Sequence, residues 1–158
     1  MDARDRLIVA LDVDDLDTAL AFADRLVGVI SRVKVGLELF TSCGPTAVKM
    51  LCARGFSVML DLKLHDIPET VGRTVARAAE LGADFLTIHT GGGRRMMEAA
   101  VKAAAKAGGR MKLLGVTVLT SLTDAELAEV GIDGGVESAV GRRAALAKDA
   151  GLAGVVAS

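Results

Sequence analysis

FSVMLDLKLHDIPET, residues 56–70, opens as an apolar run and closes on two carboxylates set around one ammonium. The spacing predicts a strand over Phe56 to Lys63. In a strand, residues two apart point the same way, so Asp61 and Lys63 share one face while Leu60, Leu62 and Leu64 take the other. A parallel strand covered on both faces normally reads as a continuous apolar run, and Lys and Asp are seldom fully buried unless paired. The charged pair therefore reads either as an active-site array or as a structural ion pair at a strand end. On the structural reading, Asp66 is the N-cap of the next helix, with Pro68 in its first turn and Glu69 completing a capping-box-like arrangement.

Working outward, short β-rich runs alternate with Ala-rich helical stretches along the whole chain, without a linker or low-complexity segment. The predicted strands are Leu7 to Asp12, Arg32 to Gly36, Phe56 to Lys63, Phe85 to His89, Leu113 to Thr120 and Gly154 to Ala157. Helices are expected over Leu16 to Val27, Pro45 to Arg54, Val71 to Leu81, Arg94 to Ala107, Asp124 to Val130 and Val136 to Ala150, with Thr123 and Glu126 as a capping box. Such a βα repeat implies a parallel sheet with right-handed crossovers in one domain over 1–158, either an open doubly wound sheet or a barrel. Asp12, Lys34, Asp61, Lys63, His89 and Thr120 all fall at or near the C-terminal ends of predicted strands. In a barrel those ends converge on one mouth, which favours the α/β barrel. Neither GxGxxG after the first strand nor GxxxxGK[ST] occurs, which argues against dinucleotide and P-loop folds.

The 158 residues carry a formal net charge of −1, four Phe and no Trp or Tyr. With no basic stripe and no aromatic stacking platform, nucleic-acid binding is not expected. No apolar run approaches the ~20 residues of a membrane span, and Asp2, Arg4, Asp5 and Arg6 do not make a signal peptide, so no membrane partner and a cytoplasmic location are expected. Cys43 and Cys52, in a loop-to-helix region without CxxC or nearby His, read as reduced thiols. Gly91 to Gly93 reads as a tight turn or a phosphate cradle, and His89 as a hydrogen-bonded structural residue.

DLKLHDIPET (61–70), VALD ending at Asp12, RVKVGLELF (32–40), IHTGGGRRMM (88–97) and VTVLTS (116–121) together resemble the orotidine 5′-phosphate decarboxylase family in order and spacing. That resemblance implies a (β/α)8 barrel that decarboxylates orotidine 5′-phosphate to UMP in pyrimidine biosynthesis without cofactor or metal. It further implies that Lys63 is the proton donor, that Asp61 lies beside the substrate carboxylate, and that Asp12 and Lys34 hold the ribose and join the charge array. Thr120 would sit near the pyrimidine. A homodimer is implied, in which Asp66, Ile67 and Thr70 reach the neighbouring site.

The sequence ends where the family's sixth strand is expected, so only about six βα units of the barrel are present. Two further units, with a TPGIR-like strand, a closing loop and a Gly-Arg phosphate grip, are implied by the resemblance. A truncated barrel, inactive alone, is the expectation. The alternatives are a metal-assisted sugar-phosphate decarboxylase or aldolase of the same barrel group, or a non-catalytic fragment. Lys34 argues against the first, because those relatives place an acid on the second strand to help hold Mg2+, and Glu38 is the only acid nearby.

Overall fold

The structure, a computed structural model, describes residues 3–157; Asp2 and Ser158, which entered the reading above, lie outside them. Six strands, β1 (Val9–Ala10), β2 (Arg32–Val35), β3 (Ser57–Leu64), β4 (Phe85–His89), β5 (Lys112–Val116) and β6 (Gly154–Val156), form one all-parallel sheet in the order of the sequence. Nowhere does the strand order reverse. A doubly wound sheet needs such a reversal to make its ligand crevice, whereas unbroken sequential order is how a barrel wall is laid down. The six strands form a curled, partial (β/α)8 wall.

Helices cover one face of that wall: α1 (Leu16–Asp24), α2 (Leu37–Cys43), α3 (Pro45–Ala53), α4 (Pro68–Glu80), α5 (Gly93–Lys106), α6 (Asp124–Glu129) and α7 (Gly135–Asp149). Their apolar residues recur at helical spacing, as with Val71, Val75 and Ala78 on α4 and Met96, Ala100 and Ala104 on α5. Those of α1 to α5, with Ala147 of α7, meet Val33, Val35, Val58, Leu60, Leu86, Ile88 and Leu113 from the strands in the main core, while Leu127 of α6 and Ala139 of α7 pack with Val118 in a second, smaller cluster. Alternation then sends Arg32, Lys34, Met59, Asp61, Phe85 and Thr87 to the opposite, inner face. There the Arg32 guanidinium lies 5.5 Å from the Phe85 ring centre.

Several expectations are corrected. The first strand spans two residues rather than Leu7 to Asp12: only Val9 and Ala10 are in register with β2, and Leu11 adds one further N–H bond to the Lys34 carbonyl. The fifth ends at Val116, because β6 stops at Val156 and the chain then turns, leaving Thr120 exposed in a turn. A helix, α2, fills a stretch read as loop, and Cys43 is its last residue. Asp66 is not an N-cap: Ile67 holds that position without a side-chain bond, and Glu69 pairs with Arg73 instead. The Thr123–Glu126 capping box is present, and both cysteines are free thiols. Thr90–Gly92 forms a 3-10 turn in which a Cβ on Gly92 would lie 2.0 Å from Met96 Sδ, so close packing explains that glycine. Among the described residues no helix is long and apolar enough to cross a membrane.

Candidate active site

Strand β3 is regular up to Leu60, which pairs with Leu86, and the register with β4 then shifts so that Leu64 pairs with Ile88. Between these points the backbone bulges, and Lys63 adopts φ +50°, the only positive φ among the described non-glycine residues. Bulges re-aim side chains next to functional sites, and a left-handed lysine is a costly conformation that its surroundings must hold in place. The surroundings here are polar. The Lys63 N–H donates to Thr87 Oγ1 at 2.9 Å, and the Thr87 hydroxyl donates to Asp61 Oδ1 at 2.7 Å.

The Lys63 ammonium folds back onto the other carboxylate oxygen, Oδ2 of Asp61, at 2.8 Å. From β2, Lys34 Nζ stands 3.6 Å from the same oxygen and 3.3 Å from Asp12 Oδ1, just beyond β1. The result is an alternating line, Asp12, Lys34, Asp61, Lys63, drawn from the C-terminal ends of three adjacent strands. Its centre is the driest part: the Asp61 side chain is 11% exposed, against 66% for Asp12 at the outer end. Burial pushes the Asp61 carboxyl up. The hydrogen bonds from Lys63 and Thr87, with the charges of Lys63 and Lys34, more than offset this and hold it below its ordinary value.

Asp66 and Thr70 share the lining of a cavity with Lys63, but among the described residues neither they nor Ile67 bond to a member of this line. The Asp66 carboxylate accepts from the Ile67 N–H at 2.6 Å, and among the described residues it makes no ion pair. Ile67 is 64% exposed, while Thr70, in the first turn of α4, accepts from the Thr74 hydroxyl through its carbonyl. Thr120 is exposed and no hydrogen bond ties it to the array. His89 meets the His65 ring, centres 5.4 Å apart; burial, then the charges of His65, Arg143 and Lys63, hold it below its ordinary value. Glu38 is exposed in the first turn of α2, and among the described residues no three His, Cys, Asp or Glu side chains converge as a metal site would require.

Residues 5–158 match the model of the orotidine 5′-phosphate decarboxylase / HUMPS family. The chain belongs to that family. It is 53% identical over 152 residues to orotidine 5′-phosphate decarboxylase of Chromobacterium violaceum, covering 96% of this chain and 62% of the relative. With the Vibrio cholerae enzyme of the same name it is 50% identical over 154 residues, covering 97% of this chain and 67% of the relative. The chain thus spans roughly two thirds of the length of these curated relatives. Among solved structures, orotidine 5′-phosphate decarboxylase from Lactobacillus acidophilus superposes with a TM-score of 0.90 at 36% identity, covering 96% of this chain and 70% of the other. An uncharacterized conserved protein from Geobacillus kaustophilus also gives 0.90, at 42% identity, covering 95% and 72%.

Two features of this family member escaped the sequence reading. Thr87 was passed over inside FLTIH, although its place between buried Leu86 and Ile88 marks it as an inward polar residue on the strand beside Asp61. The left-handed Lys63 had no signal at all, since nothing in the pattern LDLKL favours positive φ.

Proposed function

We propose that this site belongs to an enzyme that decarboxylates orotidine 5′-phosphate to UMP in pyrimidine biosynthesis, and that 1–158 is a single barrel-type domain of it. The observation that carries the reading is the alternating Asp12–Lys34–Asp61–Lys63 line, with Lys63 at its end and its side chain still 31% exposed.

Loss of CO2 from C6 of the pyrimidine leaves a carbanion with no ordinary electron sink, so fixed charge must favour it over the carboxylate. Lys63 supplies an ammonium at C6 and then the proton that completes UMP. Asp61, held rigidly from both oxygens, faces the substrate carboxylate. At ~4 Å and an effective dielectric of 20 the two repel by about 4 kcal/mol, and the repulsion vanishes as CO2 departs. Asp12 and Lys34 hold the ribose hydroxyls, and Thr120 lies by the pyrimidine. Lys34 sits between the two carboxylates where an acid-held metal would otherwise be placed, which favours cofactor-free chemistry over the metal-assisted relatives.

Among the described residues Lys63 pairs with one carboxylate, Asp61, and Lys34 with two, while the Asp66 carboxylate accepts from the adjacent Ile67 N–H. In a homodimer, Asp66, Ile67 and Thr70 of a second copy fill that vacant side, in a cytoplasmic enzyme with no nucleic-acid or membrane partner. Measured in a protein that carries this chain within a complete barrel, Lys63→Ala should abolish turnover with the fold retained, and wild-type-like turnover by that variant removes Lys63 from the mechanism. Mixing Lys63→Ala with Asp66→Asn tests the shared site: in each mixed dimer one site keeps both groups, so about a quarter of wild-type activity should return. No recovery on mixing, with mixed dimers present, places Asp66 in its own subunit's site.

A further inference from the structure

We propose that Thr87 is a positioning residue of this site, whose one hydroxyl fixes both the direction of the Asp61 carboxylate and the backbone kink that carries Lys63. The inference deepens the reading above and rests on it.

Between Leu60 and Leu64 the β3–β4 ladder loses register, which strands a main-chain donor at Lys63 that a regular sheet would have paired. Thr87 is fully buried between Leu86 and Ile88, so its hydroxyl must find its partners within the protein. A hydroxyl has one donor and two acceptor positions. Thr87 uses an acceptor for the Lys63 N–H at 2.9 Å and its donor for Asp61 Oδ1 at 2.7 Å. An amide N–H can only donate and a carboxylate can only accept, so the hydroxyl accepts from Lys63 and gives its single proton to Asp61.

The geometry links both ends of the ion pair. Asp61 Oδ1 is anchored by Thr87, leaving Oδ2 turned to Lys63 Nζ at 2.8 Å and Lys34 Nζ at 3.6 Å. Lys63 reaches that oxygen from a left-handed backbone whose N–H is held by the same hydroxyl. Serine preserves the hydroxyl at the loss of a methyl; valine, close in shape, deletes both bonds and leaves the Lys63 N–H and Asp61 Oδ1 without that partner.

The test compares Thr87→Val with Thr87→Ser. Thr87→Val should lower kcat about tenfold or more with KM changed much less, and Thr87→Ser should restore most of it. In the substrate-free protein, the Asp61 carboxyl followed by NMR should titrate higher in Thr87→Val and return toward wild type in Thr87→Ser. A packing role alone would lower stability without moving that titration. In the wild-type protein the Thr87 hydroxyl proton and Lys63 amide should both exchange slowly, which checks the geometry even where the valine variant does not fold; rapid exchange of either refutes it. An unmoved Asp61 titration and unchanged kcat in Thr87→Val overturn the proposal while Lys63→Ala remains inactive. Normal turnover by Lys63→Ala instead overturns the functional reading, and the titration alone then decides whether Thr87 governs Asp61.

Discussion

Replacing Lys63 by glycine should give a more stable protein than replacing it by alanine, the reverse of what a strand position ordinarily shows. At φ +50° an L-residue places its Cβ against the neighbouring carbonyl, at about 1–2 kcal/mol, and glycine is free of that clash. Against this, glycine gains freedom in the unfolded chain and is disfavoured in strands by about 0.5–1 kcal/mol relative to alanine. The balance favours Lys63→Gly by about 0.5–1 kcal/mol. Both variants lose the same 2.8 Å ion pair and the same aliphatic stem, and both keep a backbone N–H for Thr87, so those contributions cancel in the comparison. For a chain of this length, 1 kcal/mol moves Tm by about 2–4 °C, placing the glycine variant about 1–4 °C above the alanine variant. Urea unfolding of the two at common slope provides the independent measure. Alanine equal to or more stable than glycine would mean that the backbone at Lys63 holds no strain, and the argument that its surroundings impose the conformation would fail.

Two further outcomes follow from the same coordinates. Because the folded Asp61 carboxyl titrates below its ordinary value, the stability it supplies is complete above about pH 4–5 and drains away as pH falls through the folded value; Asp61→Asn should therefore flatten the acid limb of a stability–pH curve, and an unchanged limb refutes this. Gly115→Ala should destabilise by about 1–3 kcal/mol, since its Cβ would stand 2.8 Å from both Leu152 Cδ1 and Thr90 Cγ2 and 3.3 Å from Ala147 Cβ; thermal unfolding checks it, and a neutral result means the neighbours yield.

The barrel wall was legible in the sequence because its deciding signal is coarse. Six apolar runs separated by amphipathic helices leave few topologies, and charges gathered at strand ends select the one in which those ends converge. Asp12, Lys34, Asp61 and Lys63 could be found for the same reason: a charge in an otherwise apolar strand stands out against its neighbours. What was not legible turns on single backbone angles and strand lengths. Nothing in LELFTSC separates a helix from a loop with any force, so α2 was missed. VTVLT is a β-prone run that predicts strand five out to Thr120, but Val116 is the last residue with register partners on both β4 and β6. Asp66 followed by Ile67-Pro68-Glu69 carries most of the marks of a helix cap, yet its carboxylate turns to the adjacent Ile67 N–H.

The departures from regular structure gather in one place. Asp61 is the only carboxylate among the buried described residues, and Lys63 holds the only left-handed non-glycine backbone. Each is unfavourable by itself: the first strips water from a charge, and the second forces a side chain into a crowded region. A strand end that needed only an ion pair for solubility could have made one at the surface, as Arg73 and Glu69 do one turn apart on α4 with both side chains mostly in water. Here the pair is half withdrawn from solvent, its carboxylate bound at both oxygens and its lysine held by its backbone as well as its ammonium. Fixed charges act most strongly where little water remains to screen them and nothing must reorganise when a reactant arrives. The strain at Lys63 and the burial of Asp61 therefore support the role proposed for this array toward an incoming anion, since a purely structural salt bridge does not explain why both are tolerated within three residues.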